Sequence, residues 1–371
     1  MAGKRNHYIP KAILINHADV HSDYGKLQLV DMELKKGGFI KCRDCFKFNH
    51  FYSENLEDKF RELEKNAIDV LRRLMTDDKT IDEKSINVLR KYILLQMMRT
   101  PVGRASLLDR IDMERIDEDV IPTASCEIGD RTTDEFWYDL MEKALDLDWD
   151  QLTSCESPYI RVAALSLNMS LPVVFESALD LPVPDTGLFF ESFQFRIQDD
   201  IDRGLVENVF NMHLSDGQYE RLISEPGRYN NCIGIPWDCR HAVALVDFAW
   251  LRCEKDPGVK LRRHLKSFLL RDKALDIDAR YINTEMGPSN YMMVPSIVLD
   301  FPQSCHLAIL LMMNASRMIA FGSFEGIRKP LMYYIENIQG GENLSFISEC
   351  DFSIRFPYDI EKLNPLGTQT E

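Results

Sequence analysis

Two strongly periodic stretches joined by a short polar turn, within residues 53–104, constrain this chain more than any other feature. In the first, Leu56, Phe60, Leu63, Ala67, Val70, Leu71 and Leu74 recur at steps of three and four, and Glu57, Arg61, Glu62, Lys65, Asp69 and Arg72 lie among the positions between. That spacing predicts an amphipathic helix with one buried face. Thr76-Asp77-Asp78-Lys79 interrupts the pattern, and Thr80-Ile81-Asp82-Glu83 reads as a capping box opening a second helix. Its apolar positions Ile86, Leu89, Ile93, Leu94, Met97 and Met98 continue towards Pro101, which disfavours helical geometry in the residue before it. So short a link predicts that the two helices pack antiparallel.

The rest of the chain alternates between strand-like and helix-like stretches. Residues 27–32 and 38–41, separated by Lys35-Lys36-Gly37, read as a β-hairpin. Residues 111–130 are acidic and irregular, which suits a surface excursion. Helical spacing returns over residues 133–147, with Thr133 as the expected cap, and residues 160–169 suit a buried helix. Residues 171–195, rich in proline and aromatics, predict strands and turns; residues 243–248 and 291–299 read as strands and residues 307–320 as helix. The expected fold is α+β: an N-terminal β-hairpin and antiparallel helical pair packed with a mixed or antiparallel sheet formed largely by the C-terminal half. The expected division is residues 1–150 and 151–371, or one continuous domain.

A chain of 371 residues can bury a sizeable core without staples. Its 44 basic and 59 acidic residues give a formal charge of −15, so the overall field repels polyanions and anionic membranes. Non-specific nucleic-acid binding is therefore disfavoured, and the basic cluster Lys260, Arg262, Arg263, Lys266, Arg271 and Lys273 reads as an ordinary helix face. No run reaches the roughly 18 to 20 apolar residues that span a bilayer. The start lacks an apolar signal core. Nine cysteines, odd in number and thinly spread, suit a reducing compartment, and the expected location is the cytoplasm.

Three groups of residues invite chemistry. Cys42-Arg43-Asp44-Cys45 has zinc-ligand spacing with His50 nearby, but a second matching pair does not follow, so no metal site is assigned and the alternative is a pair of buried cysteines. His7, His17, His21 and His50 fall ahead of the helical pair, and an imidazole facing a cleft can serve as general acid or base. Gln96, Arg99 and Arg104 close the second helix; Gln96 and Arg99, three apart, point to one side. A guanidinium there can bind an anion, or it can form a buried salt bridge with Glu64 or Asp31 that ties the helices to the hairpin. The sequence contains no phosphate-binding P-loop, dinucleotide fingerprint, nucleophile elbow or zincin motif.

His7-x-x-Pro10, a strand carrying Asp31, the Phe51-Tyr52 pair, Leu56-Glu57 with Glu64, and Gln96-x-x-Arg99-Thr100-Pro101 together resemble the bacterial family catalogued as domain of unknown function 4238. The resemblance singles out His7 among the histidines. It also implies a later Thr-Ser-Asp-x-Pro segment ending a strand, whose nearest match is Tyr281 to Pro288, followed by Asp300 and Asn314. Met286 stands where that aspartate is expected, with Glu285 its neighbour.

Two readings result. One is a hydrolase or nuclease-like enzyme with His7, Arg99 and Glu285 as catalytic residues and Gln96, Asp31 and Asp300 as ligand-binding residues, its cofactor undefined. The other is a non-catalytic partner or scaffold protein, in a setting such as a bacterial defence or toxin-like system, acting through an acidic surface. The expected partners are an unidentified protein or small ligand, with homo-oligomerisation open and no membrane.

Overall fold

The computed structural model describes residues 5–18, 25–49, 53–77, 79–100, 132–168, 170–197, 227–247, 261–263, 291–337 and 341–356. The helical pair is present. Helix α2 (Glu54–Leu74) is capped by Ser53, which accepts from Leu56 N, and all seven predicted apolar positions are buried. Helix α3 (Glu83–Arg99) begins later than the capping-box reading placed it. Thr80–Asp82 is strand β5, and Asp82 is the cap, accepting from Ser85 N at 2.8 Å. The capping-box reading fails because β5 pairs antiparallel with Tyr291–Met293 (β12), so a strand partner distant in sequence claims Thr80. The two helices run antiparallel: Arg73 at the end of α2 donates to Ser85 Oγ at the start of α3, and Arg99 at the end of α3 returns to Glu64.

Ahead of the pair, β1 (Arg5–His7) and α1 (Lys11–His17) lead into the predicted hairpin, β2 (Lys26–Asp31) and β3 (Lys36–Lys41), paired antiparallel. A single 3-10 turn, Cys42–Asp44, and β4 (Lys47–Asn49) follow, and β4 pairs with β1. After α3 come α4 (Thr133–Asp146), α5 (Trp149–Thr153) and α6 (Pro158–Asn168). The cap of α4 is Thr132, one residue earlier than expected, in a capping box with Glu135. Lys91 on α3 donates to Leu145 O and Leu147 O at 2.7 and 2.6 Å, satisfying carbonyls that the end of α4 leaves open.

The remaining strands are β6 (Ser170–Glu176), β7 (Val183–Pro184), β8 (Phe189–Ile197), β9 (Gly227–Pro236), β10 (His241–Asp247), β11 (Leu261–Arg263), β13 (Ser296–Val298) and β14 (Met318–Phe321). They form a six-stranded sheet of order β11-β8-β9-β10-β6-β13, antiparallel except where β13 runs parallel to β6, and a four-stranded sheet of order β3-β2-β14-β7. The fold is α+β, as expected. Two expected elements differ. Residues 291–299 are two strands in different sheets, and residues 307–320 divide into α7 (Phe301–Met313) and β14, because Asn314 caps the helix and the chain turns into the sheet. Helix α8 (Phe324–Asn337) and a 3-10 segment, Gly341–Glu349, complete the order. Residues 111–130 and most of 260–273 lie outside the described residues; Arg262 and Arg263 of the basic cluster, expected on a helix face, lie instead in β11, which pairs with β8.

The four-stranded sheet has a core on each face. Leu27, Leu29, Met318 and Ala320 join the main cluster with the helices, whereas Val30, Ile319 and Phe321 join a second one with Met312, Ile327 and Leu331. This is the period-two alternation of a sheet buried on both sides. Residues 350–356 lie along its β3 edge, where Phe39 N donates to Ile354 O and Phe356 N to Phe39 O, both at 2.8 Å. A side chain at Gly38 would stand 2.7 Å from Ile354 O and 2.8 Å from Phe356 N, both backbone atoms. Gly38→Ala is expected to lower stability by about 1–3 kcal/mol, read as a lower urea midpoint, whereas loss below 0.5 kcal/mol would mean the segment does not hold this edge.

Candidate functional site

Of the residues singled out by sequence, Gln96 and Arg99 meet, with Glu64, between α2 and α3 beneath the N-terminal segment; Asp31, His7 and Asp300 lie in other settings. Arg99 lies on the last turn of α3 with its side chain 2 % exposed. Its Nη1 donates to Glu64 Oε1 at 2.5 Å, its Nε donates to Gln96 Oε1 at 2.9 Å, and its guanidinium sits 5.1 Å from the centre of the Phe60 ring. Of the two carboxylates expected as alternatives, Glu64 is the partner. Gln96 is buried, and its amide donates to Tyr8 O at 3.0 Å and Thr186 O at 3.2 Å. One amide therefore joins α3 to the residue after His7 and to the loop after β7. At Gly187, where φ is +67°, a Cβ would come within 2.5 Å of Ile9 Cδ1 and 2.8 Å of Gln96 Nε2, so the site is closed around glycine.

Asp31 belongs to a neighbouring network. It is fully buried at the end of β2; Oδ1 accepts from Glu33 N and Leu34 N, and Oδ2 accepts from Arg317 Nε at 2.8 Å. Beside it Asp185, at the end of β7, accepts from the backbone of Ser316, Arg317 and Met318 at 2.7, 2.9 and 3.0 Å. Burial pushes the Asp185 carboxyl up to about 6, against the pull of those amides. Thr186 Oγ1 lies 3.0 Å from Asn314 O and donates there or to Leu188 O, so the two networks adjoin through residues 185 and 186.

His7 pairs with Lys47 across β1 and β4, and its Nε2 is buried with no hydrogen-bond partner among the described residues. Burial lowers its pKa to about 4, helped by Lys47 and opposed by hydrogen bonding to the backbone at Cys42 and Arg43. The imidazole is therefore neutral at pH 7. His17 is also neutral: burial lowers it to about 4, and since Nδ1 faces Ile13 O at 2.9 Å, Nδ1 carries the proton. Asp300 caps α7 in a reciprocal box with Gln303, far along the chain from the others and held by its own helix. Glu285 and the segment 281–288 lie outside the described residues, as do His21, His50, Phe51, Tyr52 and Arg104. Cys42 and Cys45 are buried free thiols; burial pushes Cys42 up to about 11 and raises Cys45 as well. Cys42 Sγ donates to Leu14 O. Among the described residues no group of three metal-ligating side chains converges.

Sequence reasoning missed Asp185, Arg317, and two histidine–carboxylate pairs. His241 Nδ1 lies 3.0 Å from both oxygens of Asp238 in the β9–β10 turn, which raises its pKa and lowers that of Asp238. His306 Nε2 lies 3.2 Å from Glu191. The only sequence signal for Asp185 is an aspartate followed by Thr-Gly at the end of an apolar, proline-rich strand.

These features define an α+β protein in which the motif residues of the helical pair are locked into one buried polar network. Residues 5–150 match the family model described as Protein of unknown function (DUF4238), so the chain carries a DUF4238 region there. No curated protein and no solved structure matches the chain.

Removing Glu64 leaves a buried guanidinium without its charge partner. Glu64→Leu is expected to cost about 3 kcal/mol in urea unfolding, and Glu64→Leu with Arg99→Met to recover part of that loss in a double-mutant cycle. The histidines give a separate expectation. Between pH 6.5 and 4 the unfolded chain binds protons that His7 and His17 refuse, so stability falls as pH drops through that window, by at most ~3 kcal/mol each. Asp185 acts the other way, because its folded pKa exceeds its ordinary 3.8 and stability from it rises as pH falls through 6. The net expectation is a fall, measured as the urea midpoint at pH 7 against pH 4.5; His17→Gln should reduce it.

Proposed function

We propose that this chain is a non-catalytic partner or scaffold protein, acting through its surface and not through a reaction at its motif residues. The observation that carries this reading is the commitment of Arg99 to internal partners: its side chain is 2 % exposed, paired with Glu64 and bonded to Gln96. Gln96 spends its amide on two backbone carbonyls, and Asp31 is fully buried against Arg317. Groups so engaged cannot meet a substrate without breaking the core. The formal charge of −15 suits a protein partner with a basic surface better than a nucleic acid.

The hydrolase or nuclease-like reading keeps one supporting observation, the neutral His7, which is next in the chain to Tyr8 and has no hydrogen-bond partner for its Nε2 among the described residues. A neutral imidazole can act as a base if a conformational change uncovers it. The setting, such as a bacterial defence or toxin-like system, follows only once a partner is identified.

The deciding measurement is elemental analysis and native mass spectrometry of the purified full chain, with Arg99→Lys in parallel. The expected result is no stoichiometric metal or small molecule on the wild type, and a loss of stability in Arg99→Lys, because a lysine cannot reach Glu64 and Gln96 together. A stoichiometric ligand that disappears in Arg99→Lys while the fold persists would overturn this reading and restore the enzyme.

A further inference from the structure

β3 is the outer strand of its sheet, and an outer strand presents open backbone donors and acceptors. Residues 350–356 cover it through one isolated parallel bridge, Phe39 with Arg355, whereas β2 and β3 pair along six residues. Two rings anchor the segment. Phe352 packs on Phe321 and Phe324 with ring centres 5.5 and 5.6 Å away, beside the second core, and Phe356 is 2 % exposed within the main core. Asp351, Ser353, Ile354 and Arg355 are exposed. The floor admits a backbone at Gly38, where a Cβ would strike the main chain of Ile354 and Phe356, and a side chain at Gly37, where a Cβ would stand 2.8 Å from Cys350 Cβ.

Main-chain bonds at a sheet edge, with pockets for a few side chains, are how folded domains read extended peptides. We propose that the β3 edge is a peptide-recognition surface closed in cis by the chain's own residues 350–356, and that its trans occupant is the same segment of a second copy. The contacts of such an exchange are identical to those already made, so its balance depends on concentration and on the connecting 3-10 segment Gly341–Glu349, not on new chemistry. The purpose of the surface rests on the partner-protein reading. Its existence does not, because the β3 edge shares no residue with the Arg99 network.

The test uses full-length protein and a fluorescent synthetic peptide covering residues 346–357, with serine in place of Cys350. Phe356→Ala weakens the cis occupant, so this variant is expected to bind the peptide about tenfold or more tightly than wild type does, read by anisotropy. A peptide carrying alanine at both phenylalanines is expected not to bind. Differently tagged full-length copies, mixed at high concentration, are expected to co-purify. Absence of peptide binding to a Phe356→Ala protein with wild-type circular dichroism would overturn the proposal. If that variant fails to fold, hydrogen exchange on the wild type decides: the Phe39 and Phe356 amides are expected to exchange before those shared by β2 and β14, and equal protection would overturn it. Peptide binding without co-purification would overturn the second copy as occupant and point to a foreign segment of the same pattern. A ligand found on the purified protein would unseat the partner reading without altering any of these outcomes.

Discussion

A single buried guanidinium holds the N-terminal half of this molecule together. Withdrawing a charge from water costs several kcal/mol even after relaxation, and Arg99, at 2 % exposure, is met by Glu64, Gln96 and the Phe60 ring. Each of these contacts fixes another element. Glu64 sets the position of α2 along α3, and Gln96, oriented by the Arg99 donor, has its amide hydrogens left for Tyr8 O and Thr186 O. The orientation of that amide follows from its partners, since a flipped Gln96 would face donor to donor at Arg99 and acceptor to acceptor at both carbonyls.

Asp185 repeats the principle with a different chemistry. Its partners are three successive backbone amides of the turn into β14, so the carboxylate fastens the end of β7 to the start of its neighbour where neither strand is long enough to do so by ladder bonds. Arg317, in the same turn, reaches Asp31 on β2 with one nitrogen and Glu33 with another. The four-stranded sheet is thus clamped by side chains at the end where its shortest strand joins.

The helical pair was legible because amphipathic spacing is a local signal, and the Arg99–Glu64 pair was legible as one of two options because Gln96 and Arg99 share a helix face. The failures have a common cause. Thr80 lost its capping role to a strand beginning at Tyr291, and residues 307–320 form one apolar run that periodicity alone cannot divide between helix and strand. Asp185 had no side-chain partner to suggest it, since its donors are main-chain groups 131 to 133 residues later. The hairpin was read correctly, but its edge cover was not, because residues 350–356 carry no strand pattern and are placed by two glycines and two rings. Asp300 was noticed for its charge, and its work is to cap a helix.

The order β3-β2-β14-β7 also bears on how the chain is made. Asp31 and its partner Arg317 are 286 residues apart, and at about 5–20 residues per second a ribosome needs roughly 15–60 s to supply the second after the first. Throughout that interval the β2–β3 hairpin has emerged with both of its edges bare, one awaiting β14 and the other awaiting residues 350–356. Neighbouring nascent chains on one message present the same bare edges at the same time. Synthesis, more than the finished fold, is therefore the stage at which this protein is most exposed to pairing with its own copies.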